Sequence, residues 1–390
     1  MIGKRVVTLS TVTLAVLSVL LLIAVHPVHA QTFTTLYSFC SQARDGICVD
    51  GTAPVASLVQ ATNGDLYGVT AADGPTQTSE GTIFKITPTG VLTTLYSFGN
   101  QAGGASPSQG LVQATNADLY GTTWSGGASS GSSNDGYGTI FKITQSGALT
   151  TLYSFTNGAD GERPGTGLVQ ATNGDLYGTT SANGPADNGT IFKMTASGAL
   201  TTLYTFCLQN GCPDGVGPSG ALIQGTDGNL YGMTEIGGAL DIRGTSPAGA
   251  GTVFKITPSG TLTTLYSFTG NTDGGCPMGG LIQATDGNFY GTTLQGGANA
   301  GSNGNGAGTI FKITPSGTLT TLYSFCSQSG CTDGEEPLAG LVQATDGNFY
   351  GTTYYGRGNA GVWGDSAGTI FKITPGGALT TLYSFCPQSG

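Results

Sequence analysis

Apolar and polar residues alternate through most of the chain in short runs, and the same runs return at a near-constant spacing. Leu-Tyr-Ser-Phe closes at Phe39, Phe98, Phe155, Phe268, Phe325 and Phe385, and Leu-Tyr-Thr-Phe closes at Phe206; the intervals are 59, 57, 51, 62, 57 and 60 residues. Each interval reads as four strands. In one copy, strand A is Leu341-Val-Gln-Ala and strand B is Asn348-Phe-Tyr-Gly-Thr-Thr, joined through Thr-Asp-Gly-Asn. Asp-Gly between apolar runs is a strong hairpin signal. In another copy, strand C is Thr309-Ile-Phe-Lys-Ile-Thr and strand D is Leu319-Thr-Thr-Leu-Tyr-Ser-Phe, with Pro-Ser-Gly between them. Thr, Ile, Val, Tyr and Phe suit a pleated surface. Strand D has Leu319, Tyr323 and Phe325 on one face and Leu322 on the other, which predicts a sheet covered on both sides.

Four antiparallel strands repeated radially make a β-propeller. The expected fold is therefore all-β: a propeller of six complete four-stranded blades, with units at approximately 40–98, 99–155, 156–206, 207–268, 269–325 and 326–385 in one domain spanning 31–390. The unit exceeds the roughly 40–50 residues of common propeller repeats, and the excess lies in loops. A β-helix is disfavoured because its coils are much shorter. Seven D strands stand against six of A, B and C, since 32–39 is a D strand with nothing before it. One terminal D strand is then redundant, or the sequence is a C-terminally truncated seven-bladed propeller. Phe385-Cys-Pro-Gln-Ser-Gly390 copies Phe325-Cys-Ser-Gln-Ser-Gly330, which continues to Cys331. That parallel favours truncation.

Residues 1–30 do not fit the repeat. Lys4 and Arg5 precede an apolar run from Val6 to Val25, and Val28-His29-Ala30 precedes Gln31. These are the basic, apolar and small-residue regions of a secretory signal peptide. An export segment places the protein outside the cell or at its surface, with no transmembrane domain after cleavage. Both histidines, His26 and His29, leave with it. The mature chain then has no Ser-His-Asp or Cys-His catalysis and no His-ligated metal. Twelve basic residues oppose 22 acidic ones, for a net charge of −10, and no basic stripe is present for nucleic acid. Sixty-eight glycines in 390 residues disfavour long helices.

Three cysteine pairs, Cys40 with Cys48, Cys207 with Cys212 and Cys326 with Cys331, each fall within one D–A loop. In an exported chain such spacing reads as local disulfides rather than zinc. Cys276 and Cys386 are left over, either paired together or with the partner of Cys386 lost beyond Gly390. The turn residues Asp227, Asp286 and Asp346, with Asn63, Asn116 and Asn173 at matching positions, are read as structural because both types tolerate left-handed backbone. The lysines after Phe, Lys85 to Lys372, read as solvated strand positions. Asp45, Asp160, Asp214, Asp273 and Asp333 each precede Gly in a D–A loop. They are the only candidates for Ca²⁺, without EF-hand spacing, and the expectation is no cofactor and no metal.

In such a meander the A–B and C–D turns share one face, and the B–C and D–A loops the other. The turns are uniform, whereas the B–C loops differ in length and content, and variable loops on a rigid scaffold are where binding concentrates. The ligand-binding candidates there are Trp124, Tyr137, Glu235, Asp241, Arg243, Tyr354, Tyr355, Arg357 and Trp363.

The phrases at 340–353 and 308–317 resemble the Gloeo/Verruco ("GloVer") extracellular tandem repeat, over 32–390 and six times. The resemblance implies an exported, surface-associated bacterial repeat protein and carries no catalytic residues. Two functions are expected from these readings. The favoured one is a non-catalytic binding or adhesion module for extracellular polysaccharide or protein, not an enzyme. The alternative is a propeller enzyme on extracellular polysaccharide, with carboxylates such as Glu235 and Asp241 about 5–9.5 Å apart.

Overall fold

A computed structural model describes residues 34–385 apart from 42, 44–46, 76–79, 100–102, 129–135, 182–187, 239–248, 302–303 and 357–367. The expected signal segment, Asp45, Asp241, Arg243, Arg357, Trp363 and Cys386 therefore lie outside the described residues. Among the described residues twenty-five strands form six antiparallel sheets in a ring, a six-bladed β-propeller. Blade 1 comprises β1 (Thr52–Pro54), β2 (Val59–Gln60), β3 (Leu66–Ala72), β4 (Thr82–Ile86) and β5 (Leu92–Ser97). Its strand A is split, and β1 and β2 both pair with β3. Blade 2 is β6 (Val112–Gln113), β7 (Leu119–Thr123), β8 (Thr139–Ile143) and β9 (Leu149–Ser154). Blade 3 runs from β10 (Val169–Gln170) through β11 (Leu176–Thr180) and β12 (Thr190–Met194) to β13 (Leu200–Thr205). Blade 4 is β14 (Val216–Gln224), β15 (Leu230–Ile236), β16 (Thr252–Ile256) and β17 (Leu262–Ser267). Blade 5 is β18 (Ile282–Gln283), β19 (Phe289–Thr293), β20 (Thr309–Ile313) and β21 (Leu319–Ser324). Blade 6 is β22 (Val342–Gln343), β23 (Phe349–Thr352), β24 (Thr369–Ile373) and β25 (Leu379–Ser384). Among the described residues no helix is long and apolar enough to cross a membrane.

The alternation seen in the sequence builds the core between blades rather than inside one. Five clusters join successive blades, from blade 1 with blade 2 to blade 5 with blade 6. At the first, Tyr67, Val69 and Ile83 of blade 1, with Phe98 after its last strand, meet Leu111, Leu119, Phe141 and Ile143 of blade 2. Burying each such side chain contributes about 1.5–3 kcal/mol. The Phe after strand D reaches the Phe of the next strand C, with ring centroids 5.5 Å apart for Phe98 and Phe141 and 5.3 Å for Phe325 and Phe371. That strand C ring also lies over the Gly of its own strand B. A Cβ at Gly121 would come within 2.5 Å of Phe141, so Tyr-Gly-Thr is fixed by close approach.

Polar links repeat beside the apolar ones. The strand A glutamine of each of blades 2–6 accepts from a backbone N–H in the A–B turn of the preceding blade. The five links are Thr62 to Gln113, Thr115 to Gln170, Thr172 to Gln224, Thr226 to Gln283 and Thr285 to Gln343, at 2.8–3.0 Å. In each complete pair of strands B and C, buried threonines bond across the ladder, as Thr123 and Thr139 do at 2.9 Å.

The redundant N-terminal D segment packs on blade 1. Phe39 meets Phe84 edge-on at 5.0 Å, in the relation Phe98 has to Phe141. A Cβ at Gly90 would meet the Leu36 carbonyl, as one at Gly147 would meet that of Leu95. The segment therefore holds the place that a preceding blade's outermost strand would hold.

Candidate functional site

The B–C and D–A loops share one face, and five of the six D–A loops are built around a carboxylate; the loop leading into blade 2, residues 99–110, has none. Tyr153 donates to Asp160 at 3.1 Å, Tyr204 to Asp214 at 2.9 Å, Tyr266 to Asp273 at 3.0 Å and Tyr323 to Asp333 at 2.7 Å. The same carboxylates accept the backbone N–H that follows strand D, from Thr156, Cys207, Thr269 and Ser327. Burial first, then the aspartate charge and hydrogen bond, push Tyr153 and Tyr266 up to about 12. Burial also dominates at Tyr323, raised to about 12 although Ser327 acts the other way. In the first loop this role belongs to Asp50, which takes Tyr37 at 2.8 Å and Cys40 N–H at 3.0 Å. Asp50, like the later loop aspartates, precedes a glycine, Gly51. Among the described residues no group of three or more His, Cys, Asp or Glu converges on one point.

The three predicted disulfides are formed, Cys40–Cys48, Cys207–Cys212 and Cys326–Cys331. Cys276 takes part in none of them, and its thiol donates to Gln295 Oε1 at 3.6 Å.

Of the predicted binding residues the structure describes Trp124, Tyr137, Glu235, Tyr354 and Tyr355, and they fall on blades 2, 4 and 6. Trp124 follows β7 and is exposed, while Tyr137 is half-buried against the cluster between blades 2 and 3. The Arg163 guanidinium sits 5.7 Å from the Trp124 ring centroid, and its Nε lies 3.4 Å from buried Glu162. Arg163 N–H donates to the Tyr137 carbonyl at 2.8 Å. Trp124, Tyr137 and Arg163 thus form one ledge, and sequence reasoning had passed over Arg163 and Glu162. Glu235 is exposed within β15, two blades away. Tyr354 and Tyr355 stand edge-to-face at 4.6 Å on blade 6, and the backbone of Tyr355 pairs with Glu335.

A register in the sequence could have found Arg163. Ala53, Ser106, Arg163, Gly217, Cys276 and Glu336 each precede a proline in a D–A loop, and all have φ between 51° and 63°. Positive φ at a non-glycine residue costs of order 1–3 kcal/mol. Four of the five non-glycine members donate their N–H to a carbonyl just before the previous blade's strand C: Ser106 to Glu80, Arg163 to Tyr137, Cys276 to Ala250 and Glu336 to Ala307. The backbone is fixed there while the side chain is free to differ.

Between the D–A and B–C loops of blade 5 lies a cavity of about 590 Å³, lined by Thr269, Asn271, Cys276, Gln295, Asn299 and Asn305 among others. Asn299 donates to the carbonyls of Ser324 and Phe325, which holds the B–C loop upright. None of the predicted candidates lines this cavity. Among the described residues its lining has no aromatic or charged side chain that would have marked it in sequence: it is made of amides, the Thr269 hydroxyl, the Cys276 thiol, alanine methyls and glycine backbone.

The family model described as the Gloeobacter/Verrucomicrobia repeat matches residues 24–133 and 242–390. No curated protein matches the chain. Among solved structures, a proposed 6-phosphogluconolactonase from Bacteroides uniformis is 16% identical, with 84% of this chain and 83% of that one covered at a TM-score of 0.51. A proposed oxidoreductase (glucose dehydrogenase) from Thermus thermophilus is 16% identical, covering 83% of this chain and 97% of that one at 0.47. A luciferin-regenerating enzyme is 13% identical, covering 84% and 91% at 0.42. At these identities the likeness is one of fold, and it overturns the expectation that the chain is not an enzyme. The architecture is shared with the proposed 6-phosphogluconolactonase, so a propeller built this way is no ground for excluding catalysis.

Proposed function

This chain belongs to the Gloeobacter/Verrucomicrobia repeat family, and from that premise we propose that it is an exported, surface-associated protein that binds neutral glycan on the face made by its B–C and D–A loops. The observation that carries the reading is the blade 5 cavity, where four carboxamides and a hydroxyl from two variable loops stand among alanine methyls, the Cys276 thiol and glycine backbone. Sugar hydroxyls are matched by groups that both donate and accept, and amide side chains do both. The net charge of −10 repels acidic polysaccharide at long range, so uncharged sugars fit better. The Trp124–Arg163 ledge on blade 2 supplies an aromatic face of the same loop surface.

The test is a glycan array followed by calorimetry with the secreted chain. Ala300 is exposed on the cavity rim, so Ala300→Trp fills the space without entering the core. It is expected to weaken binding at least about tenfold with thermal unfolding unchanged. Unchanged affinity in a folded Ala300→Trp chain, or no glycan bound by the folded wild type, overturns the reading; the latter points to a protein ligand.

A further inference from the structure

Eight Asn-Gly pairs occur in the sequence, opening at Asn63, Asn157, Asn173, Asn183, Asn188, Asn210, Asn303 and Asn305. Asn183 and Asn303 lie outside the described residues. In such a pair the glycine nitrogen can attack the asparagine carboxamide, because one short stretch of chain holds the two together and glycine has no Cβ to obstruct the approach. The fold treats the pairs differently. In the A–B turns, Gly64 and Gly174 donate their N–H to the carbonyls of Ala61 and Ala171 at 2.8 and 2.9 Å. The carboxamides are tied as well: Asn63 and Asn173 accept from the N–H of Asp65 and Asp175 at 3.0 Å and donate to the hydroxyls of Tyr67 and Tyr177. After Asn157, the Gly158 N–H donates to Asp160 Oδ1 at 3.0 Å. Attack at these three pairs requires breaking the hydrogen bond that holds the nucleophile's proton. After Asn188 the glycine, Gly189, is buried. The Gly211 N–H donates to no acceptor among the described residues, but the Asn210-Gly211 pair is enclosed in the ring closed by the Cys207–Cys212 disulfide.

Asn305-Gly306 differs at the nucleophile. Asn305 is exposed, and the Gly306 N–H donates to no acceptor among the described residues. The Asn305 carbonyl accepts the Gly296 N–H at 2.8 Å, which fixes this peptide unit with its own N–H turned the opposite way. Asn305 also lines the blade 5 cavity. We propose that Asn305 is a site of spontaneous deamidation, through which the uncharged wall of that cavity acquires a carboxylate. The Gly306 nitrogen bonds to Asn305 Cγ, the Cγ–Nδ2 bond breaks, and the proton lost from the nitrogen leaves with Nδ2 as ammonia. Water then opens the five-membered imide. Cleavage of its bond to Cγ gives aspartate, and cleavage of its bond to the backbone carbonyl carbon gives isoaspartate, with the chain rerouted through Cβ and Cγ. In isoaspartate the carbonyl that held Gly296 becomes the free carboxylate, so the loop's anchor and the cavity's charge change together. The modification does not rest on the glycan reading; it sets how long the cavity keeps the uncharged wall which that reading uses.

The test incubates the full chain at mildly alkaline pH and follows each pair by peptide mapping with mass spectrometry, isoaspartate being labelled with an isoaspartyl methyltransferase. In the folded chain Asn305 is expected to convert at least about tenfold faster than Asn63 and Asn173, the share of one hydrogen bond in the barrier. In urea the gap is expected to close, which separates protection by the fold from the effect of neighbouring residues. Asn305→Gln keeps an amide at an exposed position and is expected to remove the conversion at residue 305 with thermal unfolding unchanged. Asn63 or Asn173 converting as fast as Asn305 in the folded chain overturns the proposal. Asn305 staying intact in the folded chain while the unfolded chain converts overturns it too. No ligand enters these readouts, so they stand or fall apart from the glycan array.

Discussion

Blades 1–3 and blades 4–6 close the same A–B turn with the same two side-chain types in opposite order. In the first three, the turns read Asn63-Gly-Asp65, Asn116-Ala-Asp118 and Asn173-Gly-Asp175. The asparagine oxygen accepts the aspartate N–H at 3.0–3.1 Å, and its amide donates to Tyr67, Tyr120 or Tyr177 at 3.0–3.1 Å. The aspartate then faces the strand C lysine, Lys85, Lys142 or Lys193, at 3.5–3.9 Å. In the last three, Asp227-Gly-Asn229, Asp286-Gly-Asn288 and Asp346-Gly-Asn348 put the carboxylate first. It accepts the same backbone N–H and also takes the tyrosine hydroxyl, at 2.9, 2.8 and 2.9 Å. The fold needs one acceptor for the backbone and one polar partner for the tyrosine. Either order supplies both, but only the second gives the tyrosine and the backbone N–H a charged acceptor. The residue opening strand B divides the blades one step later: blades 1–4 carry Leu66, Leu119, Leu176 and Leu230, whereas blades 5 and 6 carry phenylalanine, and Tyr231 stacks on Phe289 at 4.0 Å and Tyr290 on Phe349 at 4.2 Å.

The aromatic difference carries the largest expected effect. Phe289→Ala is expected to cost about 3–5 kcal/mol by denaturant unfolding. Phe289→Leu, which gives blade 5 the residue of blade 3, is expected to cost about 1 kcal/mol, the share of an aromatic pair beyond its area. Equal losses in the two variants would mean that stacking contributes nothing the leucine blades lack.

Titration separates the halves next. Burial alone would raise Asp227 and Asp286, but hydrogen bonds from Asn229 and Tyr231, and from Asn288 and Tyr290, with the strand C lysines adding least, bring both below the usual carboxylate range. A depressed carboxylate adds stability that is complete above its unfolded pKa, about 3.9, and is lost as pH falls through the folded value. Asp227→Asn is expected to flatten the acid limb of unfolding below about pH 4; an unchanged limb would break the link between carboxylate order and stability. At the alkaline end the sign reverses. Tyr153, Tyr266 and Tyr323 sit at about 12, and burial with an aspartate partner raises Tyr204, Tyr231 and Tyr290 as well. Their stabilisation is complete below about pH 10 and is lost as pH rises toward 12. Phenolate absorbance is expected to rise in two stages, the second coinciding with unfolding. A single stage near pH 10 would show these tyrosines to be solvated.

The repeat, the four strands, the blades and the disulfides were legible because each is written in local order: Leu-Tyr-Ser-Phe, Asp-Gly, and cysteines a few residues apart. The turn residues were read rightly as structural but for the wrong reason. Asn63 and Asp227 act by accepting a backbone N–H two residues on, and the left-handed residue is the one between. Asp50 was not singled out in the sequence, because only folding shows that Tyr37 reaches its carboxylate. The blade 5 cavity was illegible because loop backbone shapes it, and the aromatic and charged residues that drew notice stand on other blades.

The smallest effect is the cleanest within the comparison, because one turn breaks its own half's rule. Gly64, Gly174, Gly228, Gly287 and Gly347 occupy the left-handed position at φ of 78° to 86°, whereas blade 2 has Ala117 at 67°. A Cβ at any of the five glycines would meet nothing within 4 Å, so alanine there costs backbone conformation alone. Left-handed geometry costs an L-residue about 1–2 kcal/mol, and glycine gives back about 0.4–1 kcal/mol through the freedom of its unfolded chain. Ala117→Gly is therefore expected to stabilise the protein by about 0.5–1 kcal/mol, read as a higher denaturant midpoint with unchanged slope. Gly174→Ala should lower the midpoint by the same amount. A gain at residue 117 without the matching loss at 174 would mean that blade 2's turn is strained by its surroundings and not by its alanine.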